Sequence, residues 1–410
     1  MRSYAIVGNG VAAVGCIEGI RSVDADGPIT IISEETHETY CRPLISYLLE
    51  GKTDTERMRY RDADFFDRMG CTVLYGSRAA RIASDGTAVV LESGETVHCD
   101  ALCIATGSSP FVPRFEGIET VPKRFSFMTL DDALALDGAL EASSRVLIVG
   151  AGLIGLKCAE GICGRVASVT VCDLADRVLS SILDAECAML MQRNLEQNGI
   201  RFMLGDSVSR FEGSRAVMLH GDSVDFDLVV LAVGVRANTG LIADIGGEVG
   251  RGIVVDDRMQ TSIPGIYAAG DCTEGNDISL GQRRVIAILP NAYLQGHAAG
   301  VNMAGGDEVF DKAIPMNSIG FFGLHAMTAG TYTGEVYEEV NGTSVKRLFW
   351  ENNLLKGFIL IGSNERAGIY TSLIRERTPL SSIDFELLKT SATTTAFPRA
   401  QRRKKFGGVV

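Results

Sequence analysis

The chain has 410 residues, 46% of them hydrophobic, and a formal net charge of -12. Such length and apolar content supply cores for two or three domains and exclude wholesale disorder. The acidic balance excludes a general nucleic-acid binder, because no basic field is available to neutralise phosphates. No run of about 18 uninterrupted apolar residues exists, and Met1 leads straight into a strand-like run, so a cytoplasmic protein with no signal segment and no membrane contact is expected.

In chain order, Tyr4–Val7 reads as a buried strand, Val11–Ser22 as a helix and Ile29–Ile32 as a second strand. Between the first two lies Gly8-Asn9-Gly10-Val11-Ala12-Ala13. Gly8 turns the chain tightly, Gly10 lets backbone approach a pyrophosphate, and Ala13 keeps a small residue where helix meets strand. The diphosphate then rests on a helix N-terminus, where free N–H groups and the helix dipole favour anions. Glu34 follows the second strand at the spacing of a ribose-binding carboxylate. Further on, Leu102–Ile104 is a strand ending in the small turn Ala105-Thr106-Gly107, and Pro110 and Pro113 punctuate the loop after it, which reads as a domain crossing.

The pattern then repeats. Val146–Val149, the turn Gly150-Ala151-Gly152-Leu153-Ile154-Gly155, a helix from Leu153 and the strand Val169–Cys172 ending at Asp173 form a second βαβ unit. Cys16/Cys158, Glu18/Glu160, Gly19/Gly161 and Ile20/Ile162 recur at the same offset. Two dinucleotides are therefore expected. Leu228–Gly234 closes the second unit, and Gly265–Asp271 returns the chain to the first. Beyond Asp311, β-like runs at Val345–Trp350 and Gly357–Ile361 mix with a helix-like stretch, Ala367–Glu376. The expected fold is α/β, with two Rossmann-like three-layer dinucleotide-binding domains, the second inserted in the first, plus a C-terminal α+β cap or interface domain. The expected boundaries are 1–110 with 231–310, then 111–230, then 311–388, with 389–410 as a linker and basic tail.

Ten cysteines include no CxxC pair and no zinc or iron-sulfur spacing, so they read as small buried apolar residues and no metal site is expected. Five scattered histidines, His297 and His325 among them, offer no Ser/His/Asp constellation.

On these residues the chain resembles the two-dinucleotide-binding flavoproteins of the pyridine nucleotide-disulfide oxidoreductase family, across nearly its whole length. Tyr40-Cys41-Arg42-Pro43-Leu44-Ile45-Ser46-Tyr47 and Leu360-Ile361-Gly362 are similar to the branch of NADH:rubredoxin reductases and the NADH-oxidising part of assimilatory nitrite reductases. The resemblance implies FAD in the first unit and NAD(H) in the inserted one. It implies Gly8, Gly10 and Ala13 at the FAD pyrophosphate, Glu34 at the adenosine ribose, Arg42 and Pro43 against the flavin, and Thr106 and Gly107 at the crossing. Asp271 would contact the ribityl and pyrophosphate groups, and Pro290-Asn291 would open a helix whose N-terminus favours the charge of a reduced flavin. Gly150, Gly152 and Gly155 would hold NAD(H), with Gly234 closing that unit, and Asp173 would favour NADH over NADPH by accepting from a 2'-OH and repelling a 2'-phosphate.

Departures from the family matter as much. Ser46 stands where a Cys-x4-Cys pair would place a partner for Cys41, so an internal disulfide shuttle is missing. The expected partner is an external one-electron centre: an iron-sulfur protein of rubredoxin or ferredoxin type, or a redox complex oxidising an aldehyde or 2-oxo acid, with electrons moving in either direction. Tyr47 and Lys157 replace a lysine and a glutamate of the ferredoxin-reductase branch, and Lys157 is expected to supply the charge that Tyr47 does not. The alternatives are an NADH oxidase or peroxide/disulfide reductase that turns over Cys41, and a flavin-binding assembly subunit with no turnover. Arg399, Arg402, Arg403, Lys404 and Lys405 either dock an acidic iron-sulfur partner or serve as a solubilising tail. A homo-oligomer is left open.

Overall fold

The computed structural model describes residues 1–405, which divide into two compact units. The first comprises Met1–Asp176, Gly199–Asn276 and Arg283–Asp311; the second comprises Arg177–Asn198, Asp277–Gln282 and the chain from Lys312 onward. Among the described residues no helix is long and apolar enough to cross a membrane.

In the first unit the chain runs through β1 (Tyr4–Val7), α1 (Val11–Arg21), β2 (Ile29–Ile32), α2 (Ile45–Leu49), β3 (Cys71–Leu74) and β4 (Ala101–Ile104). It continues through β5 (Arg124–Phe125), α3 (Leu130–Ala139), β6 (Arg145–Val149), α4 (Leu153–Ile162) and β7 (Ser168–Asp173). α5 (Ala185–Gln197) belongs to the second unit, after which β8 (Ile200–Leu204), β9 (Leu228–Leu231), β10 (Ile266–Ala268) and α6 (Leu289–Met303) complete the first. Two parallel sheets result, ordered β10-β4-β1-β2-β3 and β8-β7-β6-β9-β5. All four residues of β1, β4 and β9 are buried, as parallel strands covered on both faces require, and this explains their unbroken apolar runs. β10 pairs with β4, Ile266 opposite Leu102, only after the whole second sheet has been made. The second domain is thus an insertion in the first.

α1 and α6 pack with their backbones in contact. A Cβ at Gly15 would lie 2.2 Å from the Tyr293 carbonyl oxygen, one at Gly19 2.2 Å from that of His297, one at Gly296 2.0 Å from that of Ala12, and one at Gly300 2.0 Å from that of Cys16. Only hydrogen fits at these four positions. Glu18 fastens the same helix pair from the side, accepting from Tyr293 Oη at 2.5 Å and from Arg61 Nε at 2.8 Å. Gly161 on α4, the counterpart of Gly19 in the repeat, admits α2 in the same way, with Ser46 O 3.0 Å and Leu49 Cβ 3.1 Å from its Cβ position.

The second unit is built on an antiparallel sheet of β11 (Met316–Phe321), β12 (Leu324–Gly330), β13 (Glu335–Asn341), β14 (Ser344–Glu351) and β15 (Leu354–Ile361), in the order β11-β12-β15-β14-β13. α7 (Ala367–Arg375) packs in its core, where Phe358 meets Tyr370, whose hydroxyl donates to Leu388 O at 2.8 Å. α5 is held here through Arg347, which pairs with Asp184, the N-cap of that helix, and with Glu186 and Glu338.

The boundaries differ from the sequence reading in two respects. Residues 177–198 and 277–282, expected within 111–230 and 231–310, fall in the second unit. Residues expected to form a linker belong to this core: after α8 (Phe385–Thr390), Ala396 and Phe397 are each 3% exposed, and Asp384 N–H donates to Ala396 O at 2.8 Å. Two apolar residues behind a Ser/Thr run are enough to seat it. Arg399, Arg402 and Arg403 lie on α9 (Arg399–Lys405); the Lys404 and Lys405 side chains and residues 406–410 of the expected tail lie outside what is described.

Replacing Gly296 by alanine drives a methyl group against the Ala12 carbonyl, so Gly296→Ala should lower stability by about 1–3 kcal/mol in denaturant unfolding. Gly138→Ala, with open space at its Cβ position, should be near neutral in the same measurement.

Candidate functional site

Two nearly identical glycine turns carry the site. Gly8 has φ +115° and Gly150 φ +119°. Gly8 N–H donates to Ile32 O and Gly150 N–H to Cys172 O, both at 2.8 Å, and a Cβ would strike Ala105 O at 2.1 Å in the first turn and Ala232 O at 2.2 Å in the second. Glycine is therefore required at both. By contrast, the Cβ positions of Gly10 and Gly152 face open space, as close approach of a ligand to backbone demands. At the third position Gly155 would clash with Gly150 O at 2.0 Å, whereas Ala13 is accommodated with no exposure.

The N-termini of α1, α4 and α6 share a second property. Their N-cap residues Gly10, Gly152 and Ile288 make no side-chain capping bond, and no acidic residue lies in the first turn. α3 and α5, by comparison, are capped by Thr129 and Asp184. Uncapped first turns leave N–H groups for an anion. α6 opens with Pro290 in its first turn and Asn291 fully buried, as its sequence suggests.

The structure brings the first glycine turn, the Gly270-Asp271 turn and the start of α6 together. A Cβ on Gly270 would lie 3.0 Å from Ala12 Cβ and 3.7 Å from Ala292 Cβ, and Gly270 N–H donates to Gln295 Oε1 at 2.9 Å. Burial pushes the Asp271 carboxyl above its usual range, with the Arg42 charge pulling it back, and Asp271 makes no side-chain hydrogen bond among the described residues. A buried acid without a donor fits a ligand hydroxyl there. Arg42 and Pro43 form a single 3-10 turn with Leu44. Arg42 is oriented by Glu35 Oε1 at 2.6 Å, while Tyr40 Oη donates to Glu35 Oε2 at 2.7 Å and accepts from Leu130 N–H at 2.9 Å.

At the crossing, residues 108–110 pair antiparallel with 235–237, and Gly234 O accepts from Phe111 N–H at 2.9 Å. Asn238 clasps both strands: it donates to Thr106 O at 2.9 Å, accepts from Ser109 Oγ at 2.8 Å, and its N–H donates to Gly107 O at 2.9 Å. Asp173 folds onto its own glycine turn, accepting from Ala151 N–H at 2.6 Å and Ala175 N–H at 2.8 Å.

Glu34 is placed less directly. Ser33, not Glu34, follows Ile32 in the register position that Asp173 holds after Cys172, and the Glu34 side chain is 70% exposed with Arg78 Nε at 3.8 Å. Lys157 is half-buried: its ammonium lies 2.6 Å from Glu160 Oε2 and 5.4 Å from the centre of the Tyr47 ring. Cys41 precedes the Arg42 turn, and burial raises its thiol above the ordinary value, which keeps it neutral. Sequence reading missed Glu35 and Asn238. The Ser-Glu-Glu run offers no local sign of which carboxylate turns inward, and only the antiparallel pairing reveals Asn238 as a clasp.

These features define a flavoprotein with two dinucleotide cradles. The model of the pyridine nucleotide-disulphide oxidoreductases matches residues 2–296, and the chain belongs to that family. It is 34% identical over 395 residues to the NADH-dependent phenylglyoxylate dehydrogenase subunit epsilon of Aromatoleum evansii, covering 93% of each chain. It is 31% identical to the assimilatory nitrate reductase electron transfer subunit of Bacillus subtilis, covering 91% of this chain but 49% of that one, so it spans about half that relative's length. Among solved structures, a ferredoxin reductase from Rhodopseudomonas palustris shares the fold with a TM-score of 0.86 at 23% identity, over 92% of this chain and 96% of that one.

Because the Cys41 thiol is held neutral, Cys41→Ser should change NADH-dependent reduction of an external acceptor by less than about twofold in steady-state kinetics.

Proposed function

We propose that this chain is the FAD-carrying unit that passes electrons between NAD(H) and an iron-sulfur one-electron centre, as the flavin subunit of a complex oxidising a 2-oxo acid or aldehyde. The observation that carries it is Cys41, a half-buried thiol whose proton affinity burial raises, with Ser46 where a second thiol would stand, which leaves no internal disulfide route for electrons. The partner class is supported by the phenylglyoxylate dehydrogenase subunit, whose named substrate is an aryl 2-oxo acid and with which the alignment takes in 93% of both chains. A cytoplasmic setting belongs to the same proposal.

Residues 1–110 and 231–310 are assigned to FAD and 111–230 to NAD(H). The bound flavin supplies the exchange between two-electron nicotinamide chemistry and one-electron carriers. Gly8, Gly10 and Ala13 with the α1 N-terminus take its pyrophosphate, Asp271 accepts from its hydroxyls, and Glu34 reaches the adenosine ribose from the solvent side. Arg42, Pro43, Thr106 and Gly107 line the ring system, and the α6 N-terminus at Pro290 and Asn291 presents its positive end to the ring where reduction adds charge. Gly150, Gly152 and Gly155 seat the NAD(H) pyrophosphate, Asp173 its ribose, and Gly234 ends the strand that borders it. Lys157 places a fixed positive charge beside Tyr47, and Cys41 lies at the same edge without turning over.

Mixed anaerobically, the FAD-loaded protein should lose its flavin absorbance on addition of NADH and regain it on addition of an oxidised ferredoxin. A yellow protein that NADH leaves unbleached would establish the non-turnover assembly role instead, and one that is reoxidised rapidly by peroxide or disulfide only would establish the Cys41 enzyme. Asp173→Ala should reduce the preference for NADH over NADPH, as a ratio of kcat/KM, by about tenfold.

A further inference from the structure

The seam between α2 and α4 contains four charges around one aromatic ring. Lys157 and Glu160 pair at 2.6 Å with side chains 17% and 8% exposed. The ammonium groups of Lys157 and Lys52 lie 5.4 Å and 5.8 Å from the centre of the Tyr47 ring. Glu50 pairs with Lys52 through one oxygen, while its other oxygen, Oε1, is buried with no hydrogen-bond partner. Lys52 is held above its ordinary value by Glu50 and, more weakly, by Glu160, so the two pairs sense each other. The small Gly161 lets the helices approach closely, which covers Lys157, Glu160 and Glu50 while Lys52 stays 63% exposed. Two cations and two anions sum to zero, but only Lys157 and Glu160 are both largely withdrawn from water, and there removal of one member leaves a field that solvent screens poorly.

We propose that Glu160 is a positioning residue that fixes the Lys157 ammonium against Tyr47 and cancels its field, so that the reduction potential of the flavin is set by the balance of the pair and not by the lysine alone. The inference rests on the assignment of Lys157 and Tyr47 to the flavin side of the site. It concerns a residue that the glycine motifs do not single out, one helical turn beyond the lysine it holds.

The test is a spectroelectrochemical titration of the full-length FAD-loaded protein, in wild type, Glu160→Gln, Lys157→Gln and the double variant. Glu160→Gln removes one negative charge from beside the Lys157 ammonium, and should raise the reduced-to-oxidised ratio at fixed poise about tenfold, about 30 mV for a two-electron couple. Lys157→Gln should shift it by a similar factor in the opposite direction, and the double variant should return close to wild type. Opposed shifts that cancel are not produced by general loosening of the fold. Glu160→Asp, which keeps the charge, should hold the wild-type potential and serves where Glu160→Gln does not retain FAD. If Lys157→Gln shifts the potential and Glu160→Gln does not, or shifts it downward, the role of Glu160 is overturned while the flavin-side assignment of Lys157 stands. If neither variant moves the potential, that assignment falls and takes the inference with it.

Discussion

Backbone contact between α1 and α6 is the constraint on which the first dinucleotide cradle depends. α1 starts at the first glycine turn and α6 starts beside Asn291, so the separation of the two helix N-termini is fixed by how closely the helices pack below them. Gly15 and Gly19 on one side and Gly296 and Gly300 on the other remove the side chains that would hold them apart. Packing of this kind leaves no room for a gradual adjustment, because protein interiors are close-packed and a carbonyl at 2.0 Å from a Cβ position has nowhere to go. The polar fastening by Glu18, Tyr293 and Arg61 then fixes the helices along their length as well as in separation.

Charge is handled by a complementary rule. At the N-termini of α1, α4 and α6 the chain supplies no side-chain cap, which leaves first-turn donors for an anion. Several charges around them are paired internally: Glu35 with Arg42 and Tyr40, Asp184 with Arg347, and Glu160 with Lys157. Asp271 is a half-buried carboxyl with no side-chain hydrogen bond among the described residues, its proton affinity raised by burial and pulled back by the charge of Arg42. The paired groups hold the frame around these positions.

Much of this was legible in the sequence because parallel strands buried on both faces spell continuous apolar runs, and because the glycines that admit a pyrophosphate obey strict spacing. Tyr4–Val7, Val146–Val149, the insertion of one unit in the other and the Pro290 helix start all follow from local signals of that kind. The unread parts are those that depend on long-range meeting of residues. Nothing in Glu34-Glu35 says which carboxylate turns toward Arg42, and nothing near Thr106 or Ser109 says that Asn238 meets them. The polar run before Ala396 and Phe397 hid two core residues, since composition averages over a window and a core contact needs only one side chain in the right place.

The antiparallel contact of residues 108–110 with 235–237 means that the inserted domain leaves the chain almost where it enters, with Pro110 directly opposite Val235. Its entry and exit are neighbours. The module is therefore joined to its host by a single paired hinge in the backbone, while its side-chain ties lie elsewhere, at Gly161 of α4 against α2 and at Asp184 with Arg347.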